Sequence, residues 1–442
     1  MFGLKGFPSA QISCREAIRF KETDAEPITL RLDPLVEMNE VRVTTVPAKE
    51  AGLVWFDFDT TGVKPGVYRG RIRVLPLGER KGRTVPLSLE VVPVELPVRP
   101  VRPTFLCGRA ENESAYRLFR GLGNRTFMLT PWHFQFELDA KGNIDLARPR
   151  HWVADIRRDI RRHKAWAAKY GDPRPHFEVA YSTWHAMCSV YGLQKDPEGA
   201  MRLWPQFLEG IRKVMSEEDV KPGEYVVETW DEPKKEVWDT VYAAHRLAKD
   251  RFPDVRLELT LGHAADREQA ARDIRRLLPL TDGWMNWSAQ YFSGAYLELV
   301  REAQRRGAEV AHYSCGTSIR VPISTTYRLM PWFGERYGLD ADCIFQFIHA
   351  TGGDGCMSFK KTPYGDIAYR SFDTYVPSLR YMAIREGQTD IRYLAALRTA
   401  RGNEPEVARF LAEAPVRAVD ENPHDASLPP ALREQALDLL LR

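Results

Sequence analysis

Asp231 and Glu232 stand side by side where an apolar run, "YVVETWDEP", gives out. Two carboxyl groups at the end of a buried strand can do acid–base chemistry: one delivers a proton while the other stabilises positive charge. The same two residues also read as a helix start, with Pro233 at the first helical position and acids matching the positive end of the helix dipole. Which reading holds depends on what the pair faces.

Aromatic and imidazole side chains close several other apolar runs. Trp132 and His133 end "RTFMLTPWH", Trp184 and His185 end "VAYSTWH", Trp287 ends "GWMNW", and Tyr313 ends "AEVAHY". Tyr291 lies just beyond Trp287. The chain holds eleven tryptophans, and tryptophan stacks on the C–H faces of sugars as readily as it fills a core. Carboxylates between aromatic walls point to glycoside hydrolysis. Retaining enzymes of the common kind need a second carboxylate about 5–5.5 Å from the first, which adjacent residues rarely supply. Either a distant acid (Glu137, Asp266 or Asp354) completes the set, or the substrate brings its own nucleophile, such as a 2-acetamido oxygen.

The elements that must hold these residues follow from the hydrophobic pattern. Up to residue 98, short alternating runs such as "VYRGRIRV" are broken by Gly, Pro and Asp, the pattern of an N-terminal all-β sandwich. "LPVRPVRP" (Leu96 to Pro103) then reads as a linker, because proline continues neither a sheet nor a helix interior. From 104 to 403, eight apolar runs alternate with amphipathic helical patterns, the sequence form of a (β/α)8 TIM barrel. Residues 404–442 read as a C-terminal helical segment. In such a barrel, chemistry belongs at the C-terminal ends of the strands, where the acid pair and the aromatics fall.

Composition narrows the partners. The chain has 442 residues and a formal net charge of +3, which argues against nucleic acid as the main partner. The basic stretch "DIRRDIRRHK" has the spacing of an amphipathic helix with a solvated face. No apolar run approaches a membrane span. The start lacks the apolar core of a signal peptide, so a cytoplasmic location is the default, with an extracytoplasmic one open if the chain is a fragment. Six scattered cysteines form no CxxC pair. His133, His185, His263 and His349 have no local spacing that demands a metal, and no cofactor motif is present. The sequence carries no signal of oligomeric state.

"TWDEP" after its strand, "GAEVAHYSCG" followed by "PWFGERYGLD", and "VPSLRYMAIREGQTDIRYLAAL" together resemble glycoside hydrolase family 123 and its relatives. The resemblance runs over nearly the whole chain, and its most specific part is Ser378 to Leu394. It implies a β-sandwich plus barrel and an N-acetyl-β-galactosaminidase-like activity through an oxazoline intermediate. It makes Glu232 the general acid/base and Asp231 the residue that holds the acetamido N–H. The tyrosine for the acetamide carbonyl would fall near Tyr313 or Tyr291, and Trp332 joins the substrate-binding aromatics. The alternatives are a glycosidase for another sugar and a non-catalytic carbohydrate-binding protein. Arg385, Glu386 and Asp390, four or five apart on one helix, read as charges that pair with each other.

Overall fold

In the computed structural model, the described residues are 2–21, 30–38, 44–46, 50–76, 81–97, 103–106, 108, 110–262, 266–287, 289–314, 322–344, 367–371 and 374–442. The first part of the chain forms two three-stranded antiparallel sheets. One joins β1 (Phe2–Leu4), β5 (Gly66–Val74) and β6 (Arg83–Val91); the other joins β2 (Ile12–Lys21), β3 (Leu30–Glu37) and β4 (Val54–Phe58). Leu4, Phe7, Ile12, Phe58, Tyr68 and Leu89 form a small core shared by both sheets. Ala17 and Leu35 instead join the large core of the second half, so the β2–β3–β4 sheet is seated on it.

That second half is a TIM-like barrel. Its strands are β7 (Thr104–Leu106), β8 (Thr126–Leu129), β11 (His176–Val179), β12 (Tyr225–Asp231), β13 (Leu257–Leu261), β14 (Gly283–Trp287), β15 (Glu309–Ser314) and β16 (Ala341–Ile344). They run parallel in the order β7-β16-β15-β14-β13-β12-β11-β8. Each of the eight apolar runs read from the sequence holds one of these strands. Two short hairpins were not foreseen: β9 (Phe136–Leu138) with β10 (Ile144–Pro149), and β17 (Ala368–Ser371) with β18 (Thr374–Pro377).

Helices cover the outer face, which is why strands such as β12 are buried along nearly their whole length. Local chemistry sets their ends. Asp196 caps the helix Pro197–Glu217, and Asp266 caps Arg267–Leu277 by accepting the Gln269 N–H at 3.0 Å. The basic stretch lies in the helix Trp152–Tyr170. Two of its arginines, Arg157 and Arg161, reach Glu217 and Glu218 at the end of the next long helix rather than only solvent.

The charged triplet on helix Leu379–Arg401 is structural, but its partners lie on other elements. Arg385 pairs with Asp57 of β4, Glu386 with Arg433, and Asp390, fully buried, with Arg328 at 2.9 Å and with the Trp332 indole N–H. The sequence reading had them pairing along the helix. The packed neighbours on two sides outcompete that arrangement. Gly387 permits the approach: a Cβ there would lie 2.2 Å from the Arg328 carbonyl oxygen.

Candidate active site

The helix after the acid pair begins only at Trp238, behind a short 3-10 turn at Lys235–Val237. Pro233 is therefore not its first residue, and neither acid caps it. The helix-start reading is corrected: the pair belongs to the strand end.

Two backbone irregularities turn the acids to one side. Adjacent residues of a regular strand point to opposite faces. Between β12 and β13 the register slips, so Glu228 lies opposite Glu258 while Asp231 lies opposite Thr260. This bulge leaves Thr229 and Trp230 both on the helix side, where Thr229 Oγ1 meets His245 Nε2 at 2.6 Å. Glu228 and Asp231 both fall on the barrel-interior side, where Thr260 bonds Glu228. Glu232 then takes a left-handed conformation, φ 46°, while its N–H still reaches the Thr260 carbonyl at 3.0 Å. Asp231 and Glu232 are both exposed at the mouth.

Neighbouring strands hold the pair. The buried Tyr313 hydroxyl, from β15, donates to Glu232 Oε1. Gly262, just past β13, lies under the Glu232 side chain, and a Cβ there would come within 2.6 Å of its carboxyl carbon. Gly262→Ala should therefore push the Glu232 carboxyl aside. We expect a large loss of turnover with a melting temperature near that of the native chain, measured by parallel kinetics and thermal denaturation, because only a side chain at the mouth has to yield. Although the Asp231 residue opens to the mouth, the barrel wall packed around its carboxyl withholds water from it, and with the Glu232 charge adding to this its pKa is pushed up to about 6.

Tyr291 is buried, and its hydroxyl donates to the Gly262 carbonyl at 2.7 Å. It thus supports the loop under Glu232. Trp132, 37% exposed, lies on the 3-10 turn that follows β8. His185 is exposed at the start of helix Thr183–Val190, with its Nδ1 hydrogen-bonded to Ser182 Oγ; burial of its surroundings holds its pKa below the ordinary value. Trp287 ends β14 beside Tyr313, and its side chain lies outside the described residues.

Two predicted sugar platforms are corrected. Trp184 stacks on Trp230 with ring centroids 4.8 Å apart, beneath the site, and Trp332 is fully buried among the C-terminal helices. Each serves packing, because neither offers an open face to a ligand.

The reserve carboxylates are also placed. Glu137 pairs with Arg150 at 3.1 Å, and Asp266 is spent as a helix cap. Asp354, His263 and His349 lie outside the described residues. His133 stacks on Trp152. Among the described residues, no group of three or more His, Cys, Asp or Glu is placed to hold a metal ion, and no helix is long and apolar enough to cross a membrane.

What the sequence reading passed over lies below the pair. Glu228 is 5% exposed, its Oε2 accepts the backbone N–H groups of Tyr181 and Ser182, and its Oε1 accepts the Thr260 hydroxyl. Tyr181 and Ser182 are consecutive non-glycine residues in the left-handed region, φ 69° and 56°, a conformation that costs of order 1 kcal/mol each. Burial, then the Asp231 charge, pushes Glu228 up to about 8. Glu258, beside Glu178, is pushed up to about 7 by burial. The available signal was a glutamate inside each of three apolar strand runs: "HFEV", "YVVET" and "LELTL".

No family model matches the sequence, and no curated protein matches it. Solved structures do. A family 123 glycoside hydrolase from Clostridium perfringens, studied for glycolipid glycan hydrolysis, aligns with a TM-score of 0.69 at 11% identity, over 98% of this chain and 86% of that one. A family GH10 xylanase from Thermobacillus composti aligns at 0.39 and 11% identity, over 65% of this chain and 97% of that one. A β-glucuronidase from Lactobacillus rhamnosus aligns at 0.37 and 11% identity, over 85% and 62%. The first of these shares the fold of this chain along nearly its full length.

Proposed function

We propose that the chain is a glycoside hydrolase that removes a terminal β-linked 2-acetamido sugar, N-acetylgalactosamine-like, by a substrate-assisted retaining mechanism. The observation that carries this reading is the strand end itself: a bulge and a left-handed turn bring two adjacent carboxyl groups to one barrel mouth. The other carboxylates weighed as a nucleophile and described, Glu137 and Asp266, are committed to an arginine and a helix end. The likeness in fold to a family 123 enzyme supports a sugar as the substrate class.

In this mechanism Glu232 gives its proton to the leaving glycosidic oxygen. The acetamido oxygen of the same sugar attacks the anomeric carbon, and an oxazolinium ring closes as the bond to the leaving group breaks. The Asp231 carboxylate accepts the acetamide N–H and stabilises the positive charge growing on that ring. Glu232, now ionised, takes a proton from water as the water opens the ring, which restores both residues and retains the anomeric configuration. Tyr313 orients Glu232, Tyr291 supports the Gly262 loop, and Trp132 and His185 flank the sugar.

A panel of aryl glycosides tests the reading. Aryl β-linked 2-acetamido sugars should be cleaved, and the matching sugars with a 2-hydroxyl should turn over far more slowly. Equal rates on both would favour a glycosidase with a protein nucleophile. Saturable sugar binding with no hydrolysis of any member would leave a carbohydrate-binding protein.

A further inference from the structure

We infer that Glu228 is a positioning residue for this site: its buried carboxyl locks the strained Tyr181–Ser182 backbone against β12 and thereby fixes the wall on which the acid pair works. The inference rests on the glycosidase reading for the word "site", and on geometry alone for the lock.

Three ties join the ends of β11 and β12. Glu228 accepts two successive N–H groups from Tyr181 and Ser182. Trp184, two residues after Ser182, stacks on Trp230, the residue before Asp231. His185, bonded to Ser182 Oγ, meets the same indole edge-on with centroids 6.0 Å apart. The first tie is the one that sustains the left-handed pair. Without this buried acceptor both N–H groups would lose their bond to β12, and the two residues would relax toward the ordinary right-handed or extended regions. That relaxation would carry Ser182, Trp184 and His185 with it, and Trp230 and Asp231 would lose their backing.

The position suits an acid. Tyr181 and Ser182 lead into helix Thr183–Val190, so the N–H groups they present lie at the positive end of that helix. Thr260 supplies the third contact from β13, directly opposite Asp231, its hydroxyl donating to the ionised carboxylate and accepting from the protonated acid. The groups facing Glu228 are Asp231 on its own strand, Glu258 on β13, and Thr260, Tyr181 and Ser182. A glutamine can reproduce these contacts, its oxygen accepting both N–H groups and its amide donating to the Thr260 oxygen. An alanine reproduces none.

The test compares Glu228→Ala, Glu228→Gln and Thr260→Val with the native chain, by near-ultraviolet circular dichroism and by kinetics on whichever glycoside the native chain hydrolyses. Glu228→Ala should lose the near-ultraviolet tryptophan signal contributed by the rigid Trp184–Trp230 stack and about 100-fold in kcat, the cost of a misplacement near 1 Å, with a smaller change in KM. Glu228→Gln should recover the signal and most of the lost kcat. Thr260→Val, which removes one of three contacts, should lower kcat by an intermediate step, and it decides the matter if Glu228→Ala does not fold. Native dichroism and kcat in Glu228→Ala, a Glu228→Gln variant as damaged as Glu228→Ala, or native kcat in Thr260→Val with Glu228→Ala unfolded would each overturn the assignment. If the native chain hydrolyses no glycoside, the functional reading fails, and the dichroism of the three variants still judges the lock.

Discussion

Replacing Glu232 by glutamine should slow hydrolysis of glycosides with poor leaving groups by about 10²–10⁴-fold, the usual worth of a positioned general acid. An alkyl or sugar leaving group departs as a strongly basic alkoxide unless it is protonated as the bond breaks. A dinitrophenolate needs little such help, so activated aryl substrates should lose much less in the first step. Glutamine keeps the size of the side chain over Gly262 and can still meet the Tyr313 hydroxyl, so the fold and the sugar pocket should survive. The measurement is the ratio of kcat/KM between the two substrate classes, variant against native. A small and equal loss on both classes would remove Glu232 from the acid's role.

Asp231→Asn should act on a different quantity. The charge on Asp231 is worth more in the transition state than in the ground state, because positive charge appears only as the oxazolinium ring closes. A loss of about 10²–10³-fold in kcat, with KM nearly unchanged, is the expected scale for removing one such stabilising group. A thiazoline mimic of the ring should inhibit the native chain and bind the variant more weakly. The pH profile adds a check with a fixed sign. Asp231 works as a carboxylate and dehydration raises its pKa, so native activity should fall as pH drops through that raised range, in a titration shared with Glu232. The variant should lack that acid limb. A covalent glycosyl-enzyme trapped on another carboxylate would reduce Asp231 to a neighbour of the true site.

The large features were legible because they follow from periodicity. Eight apolar runs separated by amphipathic helices can hardly close on anything but a parallel sheet wrapped in helices, and the ends of those runs carried the acids. The acids' orientation was not legible. A bulge at Thr229 and a left-handed Glu232 are consequences of tertiary packing, and neither residue type announces them. The tryptophans failed for a related reason. Trp184 and Trp332 have the composition of sugar platforms, but exposure is decided by what packs on them, and a stacked Trp230 or a C-terminal helix leaves no face open. Glu228 was readable in principle. A charged residue in an otherwise apolar strand is costly unless donors meet it, so its presence signals a constraint.

The carboxyl groups stacked inside the barrel have a consequence for the molecule as a whole. Glu228 and Glu258 hold their protons to about 8 and about 7 in the folded chain, against an ordinary value of 4.5. Between those limits the folded state binds protons that the unfolded state has already released. By linkage, stability then declines as pH rises from the ordinary carboxyl range through 7 and 8, the reverse of the trend set by salt-bridged acids. Folding at neutral pH is therefore also a protonation reaction, and the barrel interior behaves as a small store of hydrogen ions that melting discharges into the solvent.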